Sequence, residues 1–555
     1  MSSATNHYPQ TGSVIQPLTL PKDWLAGLKE NWQNDIVTGF ILFLIALPLS
    51  LGIAIASGVP PMAGIIAAVI GGLLVSLISG SYVVVNGPAA GLIVVIMAAV
   101  ERLGGGSIGY HATLAAIVMA GIMMIGLGRL KAGDLGYFFP TSVVHGMLAA
   151  IGLIIMIKEL PIMLGVKPPA KEPLMLVCKI PEIIANLNPE LAIIGLVSLT
   201  LLISHNLIKS NTIKKIPTPI VVVLVGIAIG MYFHIDHKEV YTFAGHVFQI
   251  DPRLCLVQLP LNVSEGLTQP NWSQIGTVAF WTSAVSILLI QGIESLLSAA
   301  AVADRLDPYR RPCNLNKDLT AIGLGTTISG MLGGVPMIAE IVRSTANVMN
   351  GARTRWSNFF HGLFLLVFVL TAANLIDKIP MSALAALLVV TGYKLTSPKV
   401  FRETHAIGGD QTILFSVTII ATLATDLLIG VSIGILAKFM LHLYHGAPAS
   451  SFFVAPMELK SQADGSINIC IRDAAIFSNY ISIKKRLDQL PSGLTVIVNL
   501  SQTKFIDHTV MDRLHQYCSE YARSGGSLTL VGLDYHLPHS KHPLSARRLP
   551  KNGNC

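Results

Sequence analysis

Glu340 and Arg343 stand three residues apart in GGVPMIAEIVRSTANVMNGART, residues 333–354, a stretch otherwise apolar enough to lie in a membrane. A charge at bilayer depth costs at least ~2–3 kcal/mol, so it persists where it faces a cavity, a partner or a substrate. The planar guanidinium of Arg343 suits a planar or tetrahedral oxyanion, and Glu340 can hold it at helical i,i+3 spacing until an anion competes. Glu294, in the middle of another apolar run, is a third such group and can load and release a proton. Its alternative is a packed carboxyl bonded to Ser298, one helical turn on. Pro336, two residues after Gly334, ends one helix and opens another, whose first amides are free to hold an anion.

A second opening of this kind is Asn86-Gly87-Pro88-Ala89-Ala90-Gly91. Half-helices starting at 88 and 337 would aim the backbone of Gly87, Ala89 and Ala90, and of Met337, Ile338 and Ala339, at one point. Backbone donors need no buried countercharge, which makes such a point an economical anion site. Pro48 is expected to break the first helix, leaving carbonyls and Ser50 to line the same cavity.

These groups need a frame of membrane helices. Only 12% of the 555 residues are charged and 52% are hydrophobic, against about 25% charged in soluble chains. The 49 glycines suit closely packed helices rather than a barrel with aromatic girdles. Fourteen apolar segments fall at 36–57, 61–79, 88–100, 111–127, 141–157, 190–207, 217–233, 275–302, 319–333, 336–350, 357–375, 380–393, 411–425 and 427–444. The third and tenth are too short to span and are the two opened by Gly and Pro. Short, interrupted segments at matching places in two halves predict seven-plus-seven inverted repeats with the binding point between them.

The net charge of +8 lies in short loops, which argues for membrane topology and an anionic lipid leaflet rather than nucleic acid. With the N-terminus inside, the inner loops carry fourteen Lys and Arg, among them Arg129, Lys209, Arg310, Arg353 and Lys399, against eight outside, among them Arg102, Lys158 and Lys171. Both termini are therefore expected in the cytoplasm, the chain sitting in the inner or plasma membrane. Residues 1–33 read as a cytoplasmic lead-in, and Asp426 as a cap at an outer turn. Cys178 and Cys255 fall in outer loops and could pair, although spacing alone does not bring them together. No Cys/His cluster has metal-ligand spacing and no nucleophile–base pair is found, so neither a cofactor nor enzymatic chemistry is expected. The transmembrane part spans 34–445. Strands near 467–471, 495–500 and 527–532, alternating with helices near 479–490 and 508–523, predict a small α/β domain over 452–535, and 536–555 reads as a disordered tail.

Several ordered motifs resemble the SulP family of sulfate permeases and related anion transporters. They are Asp35-Ile-Val-Thr-Gly39, Leu47-Pro48, Ala56-Ser-Gly-Val-Pro-Pro61, Gly80-Ser-Tyr-Val-Val-Val-Asn-Gly-Pro-Ala90, Glu294-Ser-Leu-Leu-Ser298, Gly333-Gly-Val-Pro336, Arg343-Ser344, Asn347, Gly351-Ala-Arg-Thr354 and Thr425-Asp-Leu-Leu-Ile-Gly430. The resemblance implies a core domain moving against a gate domain, a homodimer, and a C-terminal STAS domain open to a soluble partner. It places a basic residue near the anion at Arg343 and a proton- or sodium-coupling acid at Glu294, with Glu340 beside it. Related anti-sigma antagonists carry a phosphorylatable Ser after the Asp that Asp507 matches; His508 here argues against a phospho-switch. Some relatives have Gln after the Pro of the first segment and an aromatic four residues later. This chain has Leu49 and Ile53, so those substrate contacts do not carry over. The expected activity is secondary active transport of sulfate or bicarbonate by alternating access, with a passive channel or exchanger, or a non-transporting sensor, as the other readings.

Overall fold

The computed structural model describes residues 20–170, 172–207, 217–243, 245–260, 263–309, 311, 313–425, 427–463, 465–491, 493–523 and 525–550. Asp426, Lys171, Lys209 and Arg310, and residues 1–19 of the lead-in, lie outside these.

Each expected apolar segment contains a helix. The first half holds α1 (Trp24–Ala56), α2 (Pro61–Ile70, continued by a π-helical turn at Gly71–Val75), strand β1 (Val85–Gly87), and α3 (Ile93–Arg102) entered through a 3₁₀ turn at Ala90–Leu92. It continues with α4 (Gly106–Arg129), α5 (Thr141–Met163), α6 (Pro189–Leu207) and α7 (Thr218–Tyr232). A β2–β3 hairpin (Glu239–Phe243 and His246–Ile250) leads to the second half. There follow α8 (Val278–Ala301), α9 (Leu315–Met331), β4 (Ile338–Glu340), α10 (Ile341–Met349) and α11 (Trp356–Ile376). Helices α12 (Met381–Leu395), α13 (Gly409–Ala424) and α14 (Leu427–Tyr444) complete it. Among the described residues, seven helices are long and apolar enough to cross a bilayer.

Packing repeats with a shift of seven segments. Helix α1 lies on α11 as α8 lies on α4; α2 lies on α11 as α9 lies on α4; α6 packs on α12 as α13 packs on α5. Small residues allow the close approaches: a Cβ on Gly72 would sit 2.5 Å from the Cα of Gly362, where α2 meets α11.

Two of the sequence motifs meet in space. Asp35 of α1 accepts hydrogen bonds from Arg353 N (2.9 Å), Thr354 N (3.4 Å) and the Thr354 hydroxyl. Asp318, buried in the first turn of α9, accepts from the Ser79 hydroxyl, Gly80 N (2.9 Å) and Ser81 Oγ (2.6 Å), and so fixes the turn that feeds β1. Asp318→Ala leaves those donors without their acceptor, at a cost of roughly 1–3 kcal/mol each if they stay buried. The expected result is a lower thermal midpoint of the purified protein, and an unchanged midpoint would remove Asp318 as the anchor.

Beyond α14 the chain forms an α/β domain. β5 (Met457–Ser461) pairs antiparallel with β6 (Ile467–Ile471), which runs parallel to β8 (Thr495–Asn499), itself parallel to β10 (Ser527–Val531). β7 (Asp473–Ala475) runs parallel to β9 (Thr503–Ile506). Helices α15 (Tyr480–Asp488) and α16 (His508–Arg523) cover a core of Ile469, Val498, Ile506, Val510 and Leu514.

Two expectations are corrected here, and the pairing left open for Cys178 and Cys255 is not found. Residues 536–550 are not a disordered tail: β11 (Leu537–Pro538) and β12 (Arg547–Arg548) extend the β7–β9 sheet, with Arg547 and Arg548 opposite Ile506 and Phe505. Their polar composition hid this, because the pairing uses backbone groups. Residues 551–555 lie outside the described part. Cys178 and Cys255 are both unpaired, the first exposed and the second buried. Pro48 does not break α1, which runs through it for 33 residues; the one backbone donor that proline lacks is tolerated where neighbouring helices hold both arms.

Candidate functional site at the crossing of two half-helices

The two interrupted segments meet as a short antiparallel ladder in the membrane domain. β1 and β4 pair Val85 with Glu340, Asn86 with Ala339 and Gly87 with Ile338. Side chains pin it from around: Ser344 Oγ accepts from Val85 N (2.9 Å), Asn347 Nδ2 donates to Val83 O (2.9 Å), and Gln291 Nε2 donates to Met337 O (2.7 Å). Irregular backbone at this depth persists because protein encloses it.

The helices therefore start later than 88 and 337. The first half-helix begins at Ala90, after an Ala89 that offers no side-chain cap to its first amides. The second begins at Ile341, and Glu340 is its N-cap, accepting from Arg343 N at 2.8 Å. The two ends are unlike. One is an open helix start, and the other is closed by a carboxylate that offsets its dipole.

Arg343 supplies the positive charge instead. It lies in the first turn of α10, and its side chain is 1% exposed. Nη2 donates to the Pro88 carbonyl of the opposite half at 3.0 Å, while Nε lies 3.5 Å from Glu340 Oε2. Nε and Nη1 have no hydrogen-bond partner in the protein. A Cβ on Gly87 would approach Nη1 to 2.8 Å, so the guanidinium rests directly on the β1 backbone. Glu294, 6% exposed, presses its carboxyl on the other opening: a Cβ on Gly91 would fall 1.8 Å from Oε1. A cation and a carboxyl from the second half thus bracket the Gly87–Gly91 entry of the first.

The remaining expected residues divide. Met337, Ile338 and Ala339 are buried at the ladder, and Gly87, Ala89 and Ala90 border it. Ser50 is fully buried, but its carbonyl meets Gly64 of α2, and no hydrogen bond ties it to the crossing. Ser298 makes no bond to Glu294; it lines a cavity of about 480 Å³ toward the α/β domain, beside Ile341, His508 and Arg513. The i,i+4 spacing that suggested the pair does not decide which way two side chains turn. Gln291, Ser295 and His361 were missed, and each keeps a buried polar atom without a protein partner, as do Asn86 and Asn347. Gln291 and Glu294, three apart on an otherwise apolar helix, were the available signal.

Half-helices facing each other across a repeated bundle, with a buried arginine at their crossing, define a membrane transporter of anions. The chain belongs to the sulfate permease family, whose pattern matches residues 32–418. It is 24% identical over 513 residues to YvdB of Bacillus subtilis, whose name provisionally assigns it to sulfate; the match covers 91% of this chain and 92% of YvdB. It is 24% identical over 548 residues to the bicarbonate transporter BicA of Synechocystis, covering 95% and 93%. The solved transmembrane domain of a cyanobacterial BicA superposes with a TM-score of 0.61 at 26% identity, over 72% of this chain and 97% of that one.

Proposed function

We propose that this protein is a secondary active transporter that moves a small inorganic oxyanion, sulfate or bicarbonate, across the inner or plasma membrane by alternating access. The observation that carries the reading is Arg343, buried at the crossing, bonded to the opposite half through Pro88 O and left with two guanidinium nitrogens that make no hydrogen bond within the protein. An oxyanion would take those donors together with the open amides at Ala90 and Gly91, while Glu340 holds Arg343 between cycles. The segments of α1–α4 and α8–α11 form the moving core against a gate of α5–α7 and α12–α14. A homodimer with both termini in the cytoplasm and a STAS domain at its C-terminal end completes the arrangement.

Glu294 is the coupling group in this reading. A negative-inside potential opposes anion entry by about 2.3 kcal/mol per charge per 100 mV, so accumulation needs a co-transported cation. A proton or sodium ion loaded on Glu294, against Gly91, neutralises the carboxyl that would repel the anion.

Uptake of labelled sulfate, and separately of bicarbonate, into proteoliposomes under an imposed pH or sodium gradient tests this. Accumulation should follow one gradient and fall to simple equilibration in Glu294→Gln. Equilibration indifferent to both gradients and to Glu294 would leave a passive channel or exchanger, and no flux of any oxyanion would leave the sensor reading.

A further inference from the structure

Asp410, His445 and His539 come from three separate stretches and converge at one corner of the molecule. Asp410 sits in the first turn of α13, His445 follows α14, and His539 belongs to the last segment between β11 and β12. Asp410 Oδ2 is 2.8 Å from His445 Nε2 and 3.2 Å from His539 Nδ1, and one donor atom from each residue lies within 4.8 Å of the others. The two imidazoles meet edge to face, with centroids 4.6 Å apart. We propose that these three side chains bind a divalent first-row transition cation, zinc by their donor set, which clamps the last segment of the chain to the ends of α13 and α14.

Several features support a ligand site over a chance cluster. His445 Nε2 is buried and makes no well-directed hydrogen bond, although Asp410 Oδ2, which also meets His539 Nδ1 in a 3.2 Å hydrogen bond, lies 2.8 Å away. A neutral imidazole can turn that nitrogen's lone pair to a cation seated beside the carboxylate, with the separation opening from 2.8 Å toward the spacing of two ligands on one metal. The rings are also held from behind: His445 stacks on Phe505 at 5.4 Å and 12°. His539 N donates to Ala546 O at 2.9 Å, and the adjacent Ser540 Oγ donates to Ile407 O at 2.7 Å. Ligands on a tetrahedral zinc with bonds near 2.0–2.2 Å stand roughly 3.3–3.6 Å apart, within small rotations of this arrangement. Two imidazoles and one carboxylate suit zinc and its neighbours rather than calcium or magnesium, which select oxygen. The side chains of Asp410 and His539 are 25% and 23% exposed, so solvent can reach the site and supply a fourth ligand.

The consequence is mechanical. The last segment carries β11 and β12, and β12 is paired to β9. A metal here would tie that sheet to two membrane helices, restricting their movement against the α/β domain. Metal binding is the readout, so the proposal stands or falls independently of what the protein transports.

The full-length protein, purified in detergent with a tag free of histidine and stripped by chelator, is titrated with cobalt(II). One cobalt per chain with the intense visible absorption of a four-coordinate site, displaced by zinc, is the expected result. His445→Ala and His539→Ala should each weaken binding at least about a hundredfold. His542→Asn, in the same segment but outside the cluster, should leave it unchanged. Absence of saturable binding, a weak six-coordinate spectrum, or equal binding by His539→Ala and wild type would overturn the site and leave a hydrogen-bonded His–Asp–His contact.

Discussion

Arg343→Ala should reduce anion uptake by about a hundredfold or more, the largest effect expected of any single side chain at the crossing. The arginine is the positively charged group found there, it is 1% exposed, and it bonds across the ladder to Pro88 O. Truncating one member of a buried charged pair costs ~2–5 kcal/mol, much of it from the charge left behind, here Glu340. Arg343→Lys should recover only part of the activity, because an ammonium cannot reach Pro88 O and present two further donors in one plane. Gly87→Ala should fall between the two, since its Cβ would displace Nη1 from 2.8 Å. Initial rates in proteoliposomes, with folding checked by size-exclusion chromatography, give the ranking. Wild-type rates in a well-folded Arg343→Ala protein would remove the arginine from the substrate path.

The second large effect lies between the α/β domain and the membrane. Asp507 is fully buried at the start of α16, accepting from Phe477 N and Val510 N, both at 2.8 Å. Lys438 Nζ and His442 Nε2 of α14 lie 3.7 and 3.3 Å from its carboxylate. Burial by itself pushes the Asp507 carboxyl up, but Lys438 and His442 outweigh it and hold it below its ordinary 3.8. A depressed carboxyl contributes stability that is fully present above the unfolded value and is lost as pH falls below about 4. Asp507→Ala should therefore cost roughly 3–5 kcal/mol at neutral pH, because it leaves Lys438 as an uncompensated buried charge. Thermal unfolding with an intrinsic fluorescence readout should show the loss at pH 7, narrowing as the wild type is acidified. A pH-independent difference would mean that the cap bonds, not the ion contacts, hold the domain in place. Adding Lys438→Met to Asp507→Ala should restore much of the loss, which a role in capping alone would not predict.

The membrane frame was legible because its signal is local. A helix in lipid must satisfy its own backbone and expose apolar side chains, so the fourteen segments can be read from runs of neighbouring residues. The same holds for the two half-helices, since Gly and Pro act on the residue next to them. Where each helix begins was less legible. Residues 85–87 and 338–340 became strands only because each found the other, more than 250 positions away. Pairing at that separation leaves no mark in composition. Pairing with a partner outside the segment likewise explains the last stretch, read as disordered and found as β11 on β12 and β12 on β9.

By itself, then, the sequence determined that the chain is a repeated helical membrane protein with an arginine and two glutamates near its broken helices. Burying a charge is costly wherever it occurs, and that cost is visible one residue at a time. Only the tertiary structure decided what each group meets. It made Glu340 a helix cap, seated Glu294 on Gly91, and turned Ser298 away toward another cavity. It also brought His539 to Asp410. Partners are set by packing between distant segments, and side-chain direction follows from that packing rather than from spacing along the chain.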